Sequence, residues 1–170
     1  MTVKSISETT QFLTFTLVEE VFAVEISQVR EVLEFTKVTR IPNVPEYIVG
    51  VINLRGHVVS VVDLRMKFGL PATDKTVSTC VIIIETELDG EKVELGVMAD
   101  SVKEVMNLSP DQIEPPPKIG SSKKSEFIRG MGKQDDNFII LLDTNRVFQA
   151  DELSDIQQIN QPSNIKAAAA

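Results

Sequence analysis

The chain repeats itself, and this limits its fold more than any single motif does. Shifted by 80 residues, Tyr47-Ile48-Val49-Gly50 falls on Phe127-Ile128-Arg129-Gly130. At the same offset Val59, Val61, Val62, Asp63 and Phe68 meet Ile139, Leu141, Leu142, Asp143 and Phe148. Shifted by 73, the run from Val24 to Val32 falls on the run from Val97 to Val105. The two offsets differ by seven residues, which the polar, basic stretch 118–125 accommodates. Two matches in the same order, with the mismatch confined to one loop, indicate an internal duplication. In 170 residues this leaves two small units of about five strands each. Neither is large enough to close a core alone, so their apolar faces have to pack together.

The clearest element is a β-hairpin over residues 47–68, rich in β-branched residues as a buried pleated surface favours. Its tip is Arg55-Gly56-His57, where Gly56 takes a positive φ without a Cβ penalty. Asp63 follows the return arm and precedes a helical turn. Because Asp143 repeats it, an N-cap explains both better than catalysis does. Strands are also expected over residues 12–17, 21–25, 35–41, 77–88, 93–98 and 127–142. The last of these is a hairpin with a polar tip at 133–137. Ser27 reads as the N-cap of a short helix with Val29, Val32 and Leu33 on one face and Glu31 exposed. Residues 101–108 resemble that segment. Residues 110–117 form an extended connector, and residues 147–159 a closing helix. The leader 1–10 and the tail 154–170 flank a domain spanning 11–153.

Chemistry is sparse. His57 is the only histidine, so a multi-histidine metal site is excluded. Cys80 is the only cysteine, which rules out an internal disulfide, and its apolar neighbours point to a buried thiol. No phosphate-binding glycine loop or nucleophile elbow occurs. His57 and Asp63 lie at opposite ends of one strand, roughly 20 Å apart at about 3.3 Å per residue, too far to act as a base and its orienter. The net charge of −8 argues against nucleic acid as a partner. No run reaches the roughly 18 apolar residues of a membrane span, and no signal peptide opens the chain, so a cytoplasmic protein without direct membrane insertion is expected. No cofactor and no enzymatic activity are expected.

What remains is surface. Arg55 sits at a hairpin tip where the second copy has Asp135, so the two tips are expected to differ in role. The segment Val29, Arg30 and Glu31 is a candidate neighbour, and a groove between the two units suits a partner helix.

The run V-T-R-I-P-N-V-P-E-Y-I-V-G-V-I-N-L-R-G-H-V-V-S-V-V-D-L-R-M-K-F, residues 38–68, resembles the signature of the CheW family of bacterial chemotaxis coupling proteins. F-A-V-E-I-S-Q-V-R-E-V and G-V-M-A-D-S-V-K-E-V resemble it too. The resemblance implies a mainly β fold of two intertwined five-stranded barrels of the SH3-like type. It implies an adaptor joining the tips of methyl-accepting chemoreceptors to the histidine kinase CheA, recruited to membrane-associated receptor arrays. It also implies partner contacts at Val29, Arg30, Glu31, Arg55 and Gly56. Ile26, Val97 and Val102 are added as possible groove residues. Too few residues follow 153 for a receiver domain. Two other readings remain open: a small-molecule sensor using a pocket between the barrels, and an adaptor of another chemosensory pathway such as type IV pilus control.

Overall fold

The computed structural model describes residues 8–35, 38–71, 74–116 and 127–160. The first copy contributes β1 (Thr10–Leu17), β2 (Glu20–Glu25), β3 (Val29–Glu34), β4 (Ile48–Leu54), β5 (His57–Asp63) and the short helix α1 (Leu64–Phe68). The second contributes β6 (Cys80–Leu88), β7 (Glu91–Ala99), β8 (Ser101–Leu108), the two-residue β9 (Ile113–Glu114), β10 (Ile128–Gln134) and β11 (Asn137–Leu142). Helix α2 (Ala150–Asn160) follows.

The strands form two curled sheets, with orders β8-β1-β2-β11-β10-β9 and β3-β6-β7-β5-β4. Neither sheet is made by one copy. The β1–β2 hairpin is completed by strands of the second copy, and the β6–β7 hairpin by strands of the first. The closing contacts are parallel and correspond at the offsets of the duplication: Ser60 pairs with Leu95, and Ile140 with Phe22. Backbone bonds repeat as well. Asp63 N–H donates to Tyr47 C=O at 2.8 Å, and Asp143 N–H to Phe127 C=O at 2.8 Å. The fold is therefore mainly β and duplicated, as the sequence indicates. The duplication is realised by exchange of strands, and β9 adds a sixth strand to one sheet.

Each barrel has a small interior. Val59, Val61, Val81, Ile83 and Met98 fill one, and Phe12, Ala23, Leu108, Ile139 and Leu141 fill the other. The largest apolar cluster lies between the sheets and includes Phe15, Phe22, Val62, Ile82, Leu95, Leu142 and Phe148. Strand alternation explains the division, since successive side chains of β5, β6 and β11 point to opposite faces. A run of rings, Phe15 to Phe22 to Phe68 to Phe127, crosses this central layer with centroids 6.1, 5.8 and 4.4 Å apart.

Several elements differ from those that the sequence pattern predicts. The helix expected after Ser27 is a single 3-10 turn, Ile26–Gln28, and Val29 onward is strand. Residues 101–108 are likewise strand β8. In both cases a V-x-x-V spacing suggests a helix, but pairing with a distant strand, β6 or β1, decides the conformation. The strand expected from residue 77 begins at Cys80, and Val77 is fully exposed. Of the strand expected over 35–41, only an isolated bridge from Thr39 to Val51 is present, and residues 36–37 lie outside the described residues. The basic stretch 118–125 also lies outside them. The connector after Pro110 holds a 3-10 turn and β9. Ordered chain continues past Leu153, because Ile156 is fully buried and Asn160 binds β5.

Asp63 is the cap that the sequence suggests. Its carboxylate accepts from Arg65 N–H at 3.0 Å and starts α1, which ends on Gly69 in the left-handed region.

Candidate partner-binding site

β3 leaves the 3-10 turn with Val29 half-buried against the central cluster. A bulge in its pairing with β6 falls between Val29 and Glu31, and the slip leaves Arg30 projecting outward. Arg30 donates through Nε at 2.9 Å and Nη2 at 2.5 Å to Glu85 Oε2, and Lys92 Nζ lies 3.5 Å from Glu85 Oε1. These bonds, Arg30's first, hold the Glu85 carboxyl below its usual range.

The sequence pattern predicts an exposed Glu31. Instead it is partly covered, its side chain 23% accessible, because the β4–β5 hairpin tip reaches it. Arg55 donates from Nη1 to Oε1 at 2.7 Å and from Nη2 to Oε2 at 3.0 Å, a two-pronged guanidinium–carboxylate pair. The hydrogen bond to Glu31 raises the Arg55 pKa above its ordinary value. The charge of Glu31 adds to this, and that of Glu94 adds less. The guanidinium is thus a fixed positive charge on an exposed tip.

The tip is tightly built. Arg55 has φ +51° and Gly56 φ +87°, both in the left-handed region that a two-residue hairpin turn of this hand demands. Asn53 Oδ1 accepts from Gly56 N–H at 2.8 Å. The corresponding position of the other three two-residue turns among the described residues holds Val18 at +50°, Asp89 at +52° and Asp135 at +53°. Arginine lacks the short polar side chain that lets aspartate tolerate this conformation, and its two bonds to Glu31 offset the cost.

The second copy has the same arrangement in a weaker form. Glu104 corresponds to Glu31, and it receives only a 3.5 Å contact from Gln134 Nε2 at the second tip.

The candidate groove residues separate. Ile26, Val29 and Val102 are half-buried and pack on the central cluster. Val97 is 3% exposed within that cluster, on the face of β7 that packs between the sheets. The surface depression beside β3 has a volume of about 300 Å³ and is lined by Val32, Val77, Ser101 and Val102. Val32 and Val105, 43% and 49% exposed, correspond at the 73-residue offset. Helical spacing predicts Val32 on the same face as Val29 and Leu33, but β3 is a strand and turns it outward. Both edge strands, β3 and β8, carry an outward valine at the same repeat position. β3 thus serves two surfaces, Glu31 on one face and Val32 on the other.

Among the described residues no cluster of three or more His, Cys, Asp or Glu side chains could hold a metal ion, and no helix is long and apolar enough to cross a membrane. Cys80 is buried, and burial raises its thiol pKa.

A family model described as the CheW-like domain matches residues 11–163. The chain belongs to the CheW-like domain family. The chemotaxis protein CheW of Klebsiella aerogenes is 33% identical over 88% of this chain and 87% of its own. That of Rhizobium meliloti is 32% identical over 84% and 89%. Among solved structures, the scaffolding protein TtCheW from Thermoanaerobacter tengcongensis superposes with a TM-score of 0.72 at 34% identity, over 84% of this chain and 94% of that one. The CheW-like fold accounts for the two curled sheets. The comparisons leave the individual roles of Arg55 and Glu31 unassigned.

Proposed function

We propose that the protein is a non-catalytic adaptor of chemotaxis signalling, coupling methyl-accepting chemoreceptors to the histidine kinase CheA at membrane-associated arrays. Membership of the CheW-like family, and similarity to chemotaxis and scaffolding proteins, support this reading. The observation that carries the site is the Arg55–Glu31 pair on an exposed tip, matched in the second copy only by a 3.5 Å contact from Gln134 to Glu104. A partner meets there a positive charge already oriented by its carboxylate, beside Arg30 and the Glu85 network. The valine-lined depression on the other side of β3 offers apolar area to a receptor helix. Coupling follows if two partners occupy one rigid body, so that the state of one biases the affinity of the other.

Arg55→Glu sets two carboxylates against each other on an exposed tip. It should lower capture of both the receptor cytoplasmic fragment and the kinase in a pull-down, with an unchanged circular dichroism spectrum. Charge reversal at the second tip, Asp135→Lys, should leave capture near the wild-type level. Wild-type binding by Arg55→Glu, or equal loss at both tips, would remove Arg55 from the interface.

A further inference from the structure

The duplication yields two corresponding sites, and they are filled differently. In the first, Arg65 turns back on Asp63, with Nε donating to Oδ1 at 2.9 Å and Nη2 to Oδ2 at 2.9 Å. Its Nη1 lies 3.5 Å from Asp100 Oδ1, and the side chain is only 7% exposed. At the repeat offsets Asp63 corresponds to Asp143, Arg65 to Asn145, and Asp100 to Ser27.

The backbone is arranged alike in both copies. Asn145 N–H donates to Asp143 Oδ1 at 3.0 Å, as Arg65 N–H does to Asp63 Oδ1 at 3.0 Å. The side chains diverge. Asn145 is too short to reach back, and its Oδ1 accepts from Thr86 Oγ1 at 2.6 Å. The second copy therefore has an open polar cleft of about 320 Å³, lined by Ser27, Arg129, Asp143, Thr144 and Asn145 among others.

We infer that this cleft receives a guanidinium group from outside the chain, in the place that Arg65 fills for itself in the other copy. The source is an arginine side chain of a partner protein or a free guanidino compound, and both present the same planar fork to Asp143. A carboxylate accepts two parallel N–H bonds from such a fork and only point contacts from an ammonium. Arg129 is already committed to Glu25 at 2.6 Å, and the Arg146 Nε lies 3.7 Å from Asp143 Oδ2, a sequence-local ion pair with which the ligand competes. These four charges balance, so carboxylate geometry rather than local field selects the ligand. The overall charge of −8 favours the approach of a cation. The cleft shares no residue with the Arg55–Glu31 pair, so the inference stands apart from the adaptor reading.

The test is a titration of the isotope-labelled full chain, following the backbone amides of Ser27, Thr144 and Asn145 by nuclear magnetic resonance. The probes are agmatine, N-acetyl-arginine amide, N-acetyl-lysine amide and inorganic phosphate. Saturable shifts with the guanidino probes, absent with the lysine derivative, are expected. Equal response to both guanidino probes assigns a small guanidino compound, and preference for the blocked arginine assigns a protein side chain. Asn145→Arg supplies the missing group in cis and should abolish the shifts. If that variant does not fold, Ser27→Arg fills the same cleft from another wall. Absence of saturation, persistence of the shifts in the filled variant, an equal response to lysine, or a stronger response to phosphate each overturns the proposal.

Discussion

Arg65 lies inside the protein, 5% exposed, between two carboxylates from different copies. Asp63 precedes α1, and Asp100 follows β7 and also accepts from Val18 N–H at 2.7 Å. The cluster thereby joins α1 to the β1–β2 turn. Replacing Arg65 with methionine leaves Asp63 facing Asp100 without its counter-charge. Removing one partner of a buried ion pair costs about 3 kcal/mol, far more than an exposed pair loses. Urea unfolding of Arg65→Met should give an unfolding free energy lower by that amount and a lower midpoint, and an unchanged midpoint would make the cluster incidental. Tyr47, the only tyrosine, gives a second measurement at this scale. Its hydroxyl is buried without a hydrogen-bond partner, and burial raises its pKa to about 12, aided by Glu152, Asp155 and Asp151. The unfolded chain releases this proton first, at its ordinary value of 10. Stability from Tyr47 is therefore intact below pH 10 and lost as pH rises towards 12. An ultraviolet titration showing ionisation near 10 in the folded chain would contradict the burial.

Within the elements, the repeat explains glycines as well as aspartates. Gly50 and Gly130 sit at matching bulges, where the register slips between Ile48 and Gly50 and between Ile128 and Gly130. A Cβ on Gly50 would lie 2.3 Å from Thr39 C=O, and one on Gly130 would lie 2.9 Å from Ile113 Cγ2. Gly50 also has φ +156°. Gly50→Ala should cost about 2 kcal/mol or more through overpacking, read as a fall in melting temperature. A neutral substitution would mean that the Thr39–Val51 bridge yields freely. The hairpin, its tip, Asp63 and the closing helix were legible because each is fixed by neighbours in sequence. β3 and β8 were not, because their conformation depends on strands far along the chain. The Arg55–Glu31 contact was half legible: the sequence placed both residues near a binding face, but the bulge that turns Glu31 towards the tip is a product of pairing with β6.

At the scale of the molecule, the two copies are neither independent domains nor a simple tandem. Each sheet needs strands from both, and the largest apolar cluster lies between the sheets. A chain cut between α1 and β6 should therefore give two pieces that are each unfolded alone. Mixed in equal amounts, they should regain the β-rich circular dichroism spectrum and dispersed amide resonances of the intact protein. Folding of either piece by itself would show that one copy can complete its own barrel.

The exchange of strands also dictates a schedule for synthesis. The ribosome delivers β1 and β2 early, with both outer edges of their hairpin uncovered, and Ala23 waits for Leu141 to arrive before the sheet can close. At typical elongation rates that interval is on the order of ten seconds, long compared with hairpin formation in microseconds. For that time each nascent chain carries open strand edges that fit β8 and β11 of any copy made nearby. Crowded polysomes would thus favour pairing between chains, and the demand on chaperones should fall on the half-made protein more than on the finished one.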